Sequence, residues 1–286
     1  MPMPEERALS FACRGAWLYG IVSLPALATT PLRGVLIVVG GPQYRAGSHR
    51  QFTLLARDLA AAGVPAMRFD YRGMGDSEGD LRGFDDVGDD LRAAIDRFFL
   101  EVPGMQEVVL WGLCDGASAA AMYAPQDARV AGLVLLNPWV RTEEGAARAT
   151  IKHYYRARLF NARLWKKVAS GQFDVKASVR GLWQDLGKAF RPRPQVANSV
   201  PTDAPLPERM QHALTRFGGR VLVVLSGADL TAQEFADLSS RPGAWQKLLA
   251  APRFTRQKID KADHTFSRRP WQDQVSNWTR DWLRSW

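Results

Sequence analysis

A mostly parallel, doubly wound α/β sheet is the fold class that this 286-residue sequence predicts, and three observations predict it. Short apolar runs alternate with segments of helical period, the rhythm of βα units whose helices cover both faces of a parallel sheet. One run, Val108 to Leu113, passes through Gly112-Leu113-Cys114-Asp115-Gly116 into the small residues Ala117 to Ala121. That reads as a strand, a sharp turn and a tightly packed helix. Hydrophobic residues make up 46% of the chain and charged ones 23%, enough apolar material at this length for a sizeable core.

The elements follow in order. Arg7 to Leu24 reads as two strands around Arg14-Gly15, an antiparallel edge pair. Gly34 to Gly41 is a continuous apolar run closed by glycines, which fits a central strand. After the loop from Gly40 to Ser48, Ser48 is placed to cap a helix from His49 to Ala62, whose Phe52, Leu55, Leu59 and Ala62 share a face. A strand from Val64 to Phe69 runs into the turn Asp70-Tyr71-Arg72-Gly73-Met74-Gly75-Asp76-Ser77-Glu78-Gly79. That turn lacks the order and following helix of a dinucleotide loop, so no cofactor is read there, and no metal-ligand spacing occurs elsewhere. A helix from Asp85 to Leu100 carries four aspartates early, where negative charge complements the helix dipole. Val130 to Leu136 is a strand ending at Asn137-Pro138. The rhythm lapses from Arg141 to Met210 and resumes with strands at Arg220 to Gly227 and Phe254 to Ile259. A last helix sets Trp271, Val275, Trp278, Trp282 and Trp286 in a stripe expected to pack on the sheet. The core is therefore expected over 1–140 and 211–286, with an insertion at 141–210.

Composition excludes several classes. Cys13 and Cys114 are the only cysteines, too few for a disulfide framework, which points to a reducing compartment. No signal-peptide core is visible, and no apolar stretch approaches the roughly 18 residues of a membrane span, so a soluble cytoplasmic protein is expected. The net charge of +9 would suggest nucleic acid on a small module. Here fourteen basic and six acidic residues between 141 and 210 carry +8 of it, and no nucleic-acid partner is read.

The chemistry converges on the turn at 112–116. A nucleophile in such an elbow sits in a strained conformation that flanking glycines permit. At the start of a helix, backbone amides and the dipole favour a thiolate, the reactive form of cysteine. A cysteine nucleophile needs a base and a group to orient that base. His264 follows the last strand, and Asp229 follows the strand that reopens the sheet. The order nucleophile, acid, histidine is the order this elbow uses. Glu234, Asp237 and Asp263 are alternative acids, Glu234 the strongest. The oxyanion donors are expected to be the amides of Asp115 and, because Pro42 has no N–H, of Gln43, with Gly41 as fallback. His49, Arg50 and Trp139 are read as substrate contacts.

The motifs Gly41-Pro42-Gln43-Tyr44-Arg45, Arg68-Phe69-Asp70-Tyr71-Arg72-Gly73-Met74-Gly75-Asp76-Ser77, Gly112-Leu113-Cys114-Asp115-Gly116 and Gly227-Ala228-Asp229-Leu230-Thr231 resemble the exosortase A system-associated hydrolase 1 family. The likeness spans nearly the whole chain. It implies an α/β-hydrolase fold and an association with exopolysaccharide and exosortase gene clusters in Gram-negative bacteria, without naming a substrate. Cys114 departs from the serine usual in that superfamily. In this fold the insertion would lie over Cys114 as a lid, and its basic, aromatic composition would steer an anionic substrate.

Three functions are weighed. The first is hydrolysis of an ester or thioester, on a small molecule, CoA or an acyl carrier protein, through an acyl-enzyme at Cys114. The second is acyl transfer by the same intermediate, which a lid excluding water would favour. The third is a noncatalytic binding protein on the same fold. Oligomeric state is not legible.

Overall fold

A computed structural model describes residues 4–26, 32–41, 43–140 and 204–286. The chain divides into two units, Met1–Trp139 with Arg209–Trp286, and Val140–Glu208. The expected insertion lies outside the described residues as far as position 203.

Among the described residues, eight strands form one sheet. They are β1 (Glu5–Cys13), β2 (Ala16–Leu24), β3 (Arg33–Val38), β4 (Ala66–Asp70), β5 (Glu107–Leu113), β6 (Val130–Leu136), β7 (Arg220–Ser226) and β8 (Phe254–Ile259). Their spatial order is β1-β2-β4-β3-β5-β6-β7-β8. β1 pairs antiparallel with β2, and β2 with β4, while every pair from β4 to β8 is parallel. The predicted fold class and edge hairpin are both present. The hairpin turns through Arg14 (φ 49°) and Gly15 (φ 84°), two positive φ values in the type of turn that matches strand twist.

The helices are α1 (Gln51–Ala61), α2 (Gly88–Glu101), α3 (Asp115–Tyr123), α4 (Leu206–Arg216), α5 (Leu230–Ser240), α6 (Ala244–Leu249) and α7 (Arg269–Arg284). β3, β4, β5 and β6 are buried along almost their whole lengths, as parallel strands with both faces covered must be. Phe52 of α1 meets Trp111 of β5 edge to face at 5.7 Å. At the sheet's other edge β8 alternates toward solvent with Arg256 and Lys258, charges that discourage edge pairing.

Two expectations need correction. Ser48 does not cap α1, because the chain turns through His49 (φ 52°) and Arg50 (φ 60°) in the left-handed region, and the helix starts at Gln51 without a side-chain cap. The expected stripe along α7 holds only in part, since Val275 and Trp282 are buried while Trp271 and Trp278 are not. The helix buries Val275, Ser276, Thr279, Trp282 and Leu283. Small hydroxyls seat that helix, Ser276 on Asp58 of α1 and Thr279 against the indole N–H of Trp111 at 3.4 Å. Trp271 and Trp278 are half-buried. Trp286, past the helix end, packs on Trp282 and lies under the Arg33 guanidinium at 3.8 Å.

Candidate active site

Cys114 stands between β5 and α3 with φ 59° and ψ −125°, a conformation costly for a residue with a side chain unless its surroundings impose it. The surroundings are backbone. A Cβ on Gly112 would lie 2.5 Å from the Gly116 carbonyl carbon, and one on Gly116 would lie 2.5 Å from the Val38 oxygen. Only glycine allows β5, the start of α3 and the end of β3 to close on one another this tightly. The Cys114 N–H donates to Leu136 O at 2.9 Å, and its carbonyl accepts from Trp139 N at 3.2 Å. The Ser118 hydroxyl donates to Trp139 O at 2.6 Å. Trp139, a predicted substrate contact, thus sits against the elbow through its backbone.

The predicted acid and base meet. His264 Nδ1 and Asp229 Oδ2 are 2.9 Å apart, and the Cys114 side chain lies near enough to the same ring to raise its pKa. The Asp229 bond, then the nearby Cys114 side chain, push the imidazole up to about 10 against the opposing effect of burial. Asp229 has a second task as N-cap of α5, accepting from Thr231 N at 3.4 Å and Ala232 N at 3.0 Å. Its carboxylate is therefore fixed by the helix before it meets the ring. Of the alternative acids, Glu234 and Asp237 lie on α5, and Asp263 binds Ser267 through its N–H at 2.9 Å and its hydroxyl.

The loop expected to supply the second oxyanion donor is pinned at two points. Gly41 N donates to Asp115 Oδ2 at 2.7 Å, so the fallback donor is committed to the elbow. Arg45 N donates to Asp70 Oδ1 at 2.7 Å, and the Arg45 guanidinium pairs with Asp70 and Asp76. Gln43 lies between these anchors, its Oε1 buried without a partner among the described residues. Burial pushes the Asp115 carboxyl up, while the amides of Gly41 and Gly116 hold it back. His49 stands in the left-handed turn before α1 with φ 52°, and, against the opposing effect of burial, the Asp263 carboxyl beside His264 is lowered by its Ser267 hydrogen bonds. Arg50 is exposed, its N–H closing on Gly47 O at 3.1 Å.

Sequence reasoning missed Asn137 and the carboxylate of Asp115. The only available signal for Asn137 was an asparagine at a strand's carboxyl end, a residue type that tolerates positive φ. Among the described residues no His, Cys, Asp or Glu cluster converges as metal ligands would, and no helix is long and apolar enough to cross a membrane.

A family model described as serine aminopeptidase, S33 (Hydrolase_4) matches residues 30–203. The search of curated proteins found no match. Among solved structures the chain is similar to an esterase of Pyrococcus furiosus, at 13% identity over 99% of this chain and 92% of that one, TM-score 0.65. It is also similar to a dienelactone hydrolase of Anabaena variabilis, at 16% identity over 100% and 99%, TM-score 0.62. A third is Est1E of Butyrivibrio proteoclasticus, bound there to ferulic acid, at 14% identity over 97% and 98%, TM-score 0.62. These likenesses are likenesses of fold. With its model spanning more than half of the chain, elbow included, it is the S33 serine aminopeptidase family (Hydrolase_4) of α/β-hydrolases to which this protein belongs.

Proposed function

We propose that the protein is a cysteine-dependent hydrolase of esters or thioesters that works through Cys114, His264 and Asp229. The observation that carries this reading is the imidazole of His264 held by Asp229 at 2.9 Å and raised in pKa by Asp229 and by the Cys114 side chain. A ring whose pKa is pushed up to about 10 is an imidazolium at neutral pH, the partner a thiolate requires. The sulfur attacks the carbonyl carbon, and the negative charge that develops on the carbonyl oxygen is taken by the amides of Asp115 and Gln43. The imidazolium then gives its proton to the departing oxygen or sulfur, leaving a thioester at Cys114 and a neutral ring. Water, deprotonated by that ring, attacks the thioester and releases the carboxylic acid and the free cysteine. Asp229 holds the ring's Nδ1 hydrogen so that the other nitrogen serves the sulfur.

The esterases and the dienelactone hydrolase among similar structures support an ester carbonyl as the target. The family's name refers to serine, and sulfur at the same point of the elbow argues for acyl groups that form a thioester readily. The basic excess of 141–210 supports an anionic substrate or carrier, such as an acyl group on CoA or an acyl carrier protein. Both cysteines are free thiols, which supports a reducing, cytoplasmic setting. The resemblance to exosortase A system-associated hydrolases supports a role beside exopolysaccharide synthesis.

Intact-mass spectrometry after incubation with a panel of acyl thioesters and activated esters tests the reading. One acyl mass added at Cys114, absent from Cys114→Ala, is the expected result. Turnover that survives Cys114→Ala at the wild-type rate would overturn it.

A further inference from the structure

Three stretches of chain that are distant in sequence end beside one another at the rim of the sheet, and one side chain fastens them. Asn137, the residue after β6, is fully buried and has φ 43°. Its Oδ1 accepts the Ser226 N–H at 2.8 Å. Its Nδ2 donates to the Ser226 hydroxyl at 2.6 Å and to the His264 carbonyl at 2.8 Å. Its own N–H donates to Val224 O at 3.0 Å. The partners fix the orientation of the amide, since a backbone N–H can only donate and a backbone carbonyl can only accept.

Ser226 ends β7, three residues before Asp229, and the third partner is the backbone of His264 itself. We propose that Asn137 is a positioning residue for the acid–base pair: by holding the end of β7 and the His264 backbone on one amide, it sets how Asp229 and the imidazole meet beneath Cys114. This rests on the triad reading above. The argument is geometric. The Asp229 to His264 bond spans 35 residues of chain, and each partner comes from a loop beyond a strand end. A side chain that ties both origins to β6 removes the sliding freedom of those ends, and ångström-scale errors at reacting groups cost about a hundredfold in rate.

The chemistry of the amide supplies the test. In Asn137→Asp the ionised side chain sets an acceptor against the His264 carbonyl oxygen, which repels it. Once protonated, the same carboxyl donates to that carbonyl and accepts from Ser226 N–H, restoring the tie to His264, while the Ser226 hydroxyl turns from acceptor to donor. Asn137→Gly removes the amide and keeps the positive φ without strain. The titratable groups around this point are His264 and Asp263 from the loop after β8, Asp229 from the start of α5, and Cys114 and Asp115 from the elbow.

The rate of Cys114 alkylation by iodoacetamide, followed by peptide mapping, is measured against pH in the wild type, Asn137→Asp, Asn137→Gly and His264→Gln. Each variant's fold is checked by circular dichroism. Asn137→Asp is expected to react about tenfold slower than wild type at mildly alkaline pH, because a misplaced imidazolium no longer favours the thiolate that iodoacetamide attacks, and to approach it as the pH falls. Asn137→Gly is expected to be slower by a factor that does not recover in acid. Folded Asn137 variants that track the wild-type profile while His264→Gln departs from it would overturn the proposal and leave the triad standing. A His264→Gln profile equal to wild type would instead remove the triad reading on which the proposal rests. Should Asn137→Asp fail to fold, Asn137→Gly decides the matter alone.

Discussion

The two halves of the candidate site are held by opposite means. On the nucleophile side, Cys114 is fixed by backbone packed on backbone, with Gly112 and Gly116 leaving no room for a Cβ against α3 and β3. On the acid–base side, Asp229 and His264 are fixed by polar side chains, through the cap of α5 and the amide of Asn137. The first arrangement is steric and lies almost wholly within five residues. The second is a hydrogen-bond network across three strand ends. A steric elbow fails when an atom is added, and a polar network fails when a partner is removed.

Removing a partner is expected to give the largest effect. Asp229→Asn keeps an oxygen for the cap of α5 but loses the charge on the ring, so kcat should fall by up to about 10⁴-fold, the scale seen for the orienting acid of other triads, and the stability that the charged pair contributes should fall with it. Asp229→Ala should lose the same activity and, with the cap gone, about 1 kcal/mol of stability as well. Kinetics beside thermal melts separate the two, and equal stability in both variants would show that the cap contributes nothing.

Adding an atom is expected to act on stability. Gly116→Ala puts a methyl 2.5 Å from Val38 O and 3.1 Å from Gly40 N, so the elbow must open at a cost of about 1–3 kcal/mol, the usual range for overpacking. Denaturant titration measures this. A variant as stable as wild type would mean that β3 and α3 part freely and that steric closure does not hold Cys114.

The smallest effect concerns pH. His264 is raised from its ordinary 6.5 to about 10. A raised base binds its proton more tightly in the folded state, so its contribution is complete below about pH 6.5 and is lost as the pH rises through about 10. The gap in melting temperature between wild type and His264→Gln should therefore be widest in mild acid and narrow in alkali. A gap that widened with pH would contradict the assignment of the shift to Asp229 and Cys114.

This contrast also explains how much could be read from the sequence. The elbow was legible because its constraint is local: two glycines around a cysteine, between an apolar run and a run of alanines. The parallel strands were legible through burial on both faces. The Arg14-Gly15 turn was legible because so short a loop must take positive φ. Asp229 and His264 could be nominated from their places after β7 and β8, but their bond length and the bridging amide could not. Gly41 is legible as a fallback donor beside Gln43, and only the folded loop shows that Asp115 already takes its amide. The tryptophan stripe holds only in part because periodicity weighs apolar residues alone. The inner face of α7 is set in part by Ser276 and Thr279, whose hydroxyls find polar partners on α1 and Trp111.

By itself, then, the sequence determined the order of strands and helices, the strained turn at Cys114 and the chain order of the candidate catalytic groups, because backbone sterics and hydrophobic period act over a few residues. The tertiary structure decided which carboxylate meets the imidazole, which amides remain available at the elbow and which residue ties β6 to β7 and the His264 loop. These choices depend on hydrogen bonds between groups as far apart in the chain as Asn137 and His264, 127 residues, and such bonds form only when the sheet has brought its strand ends together.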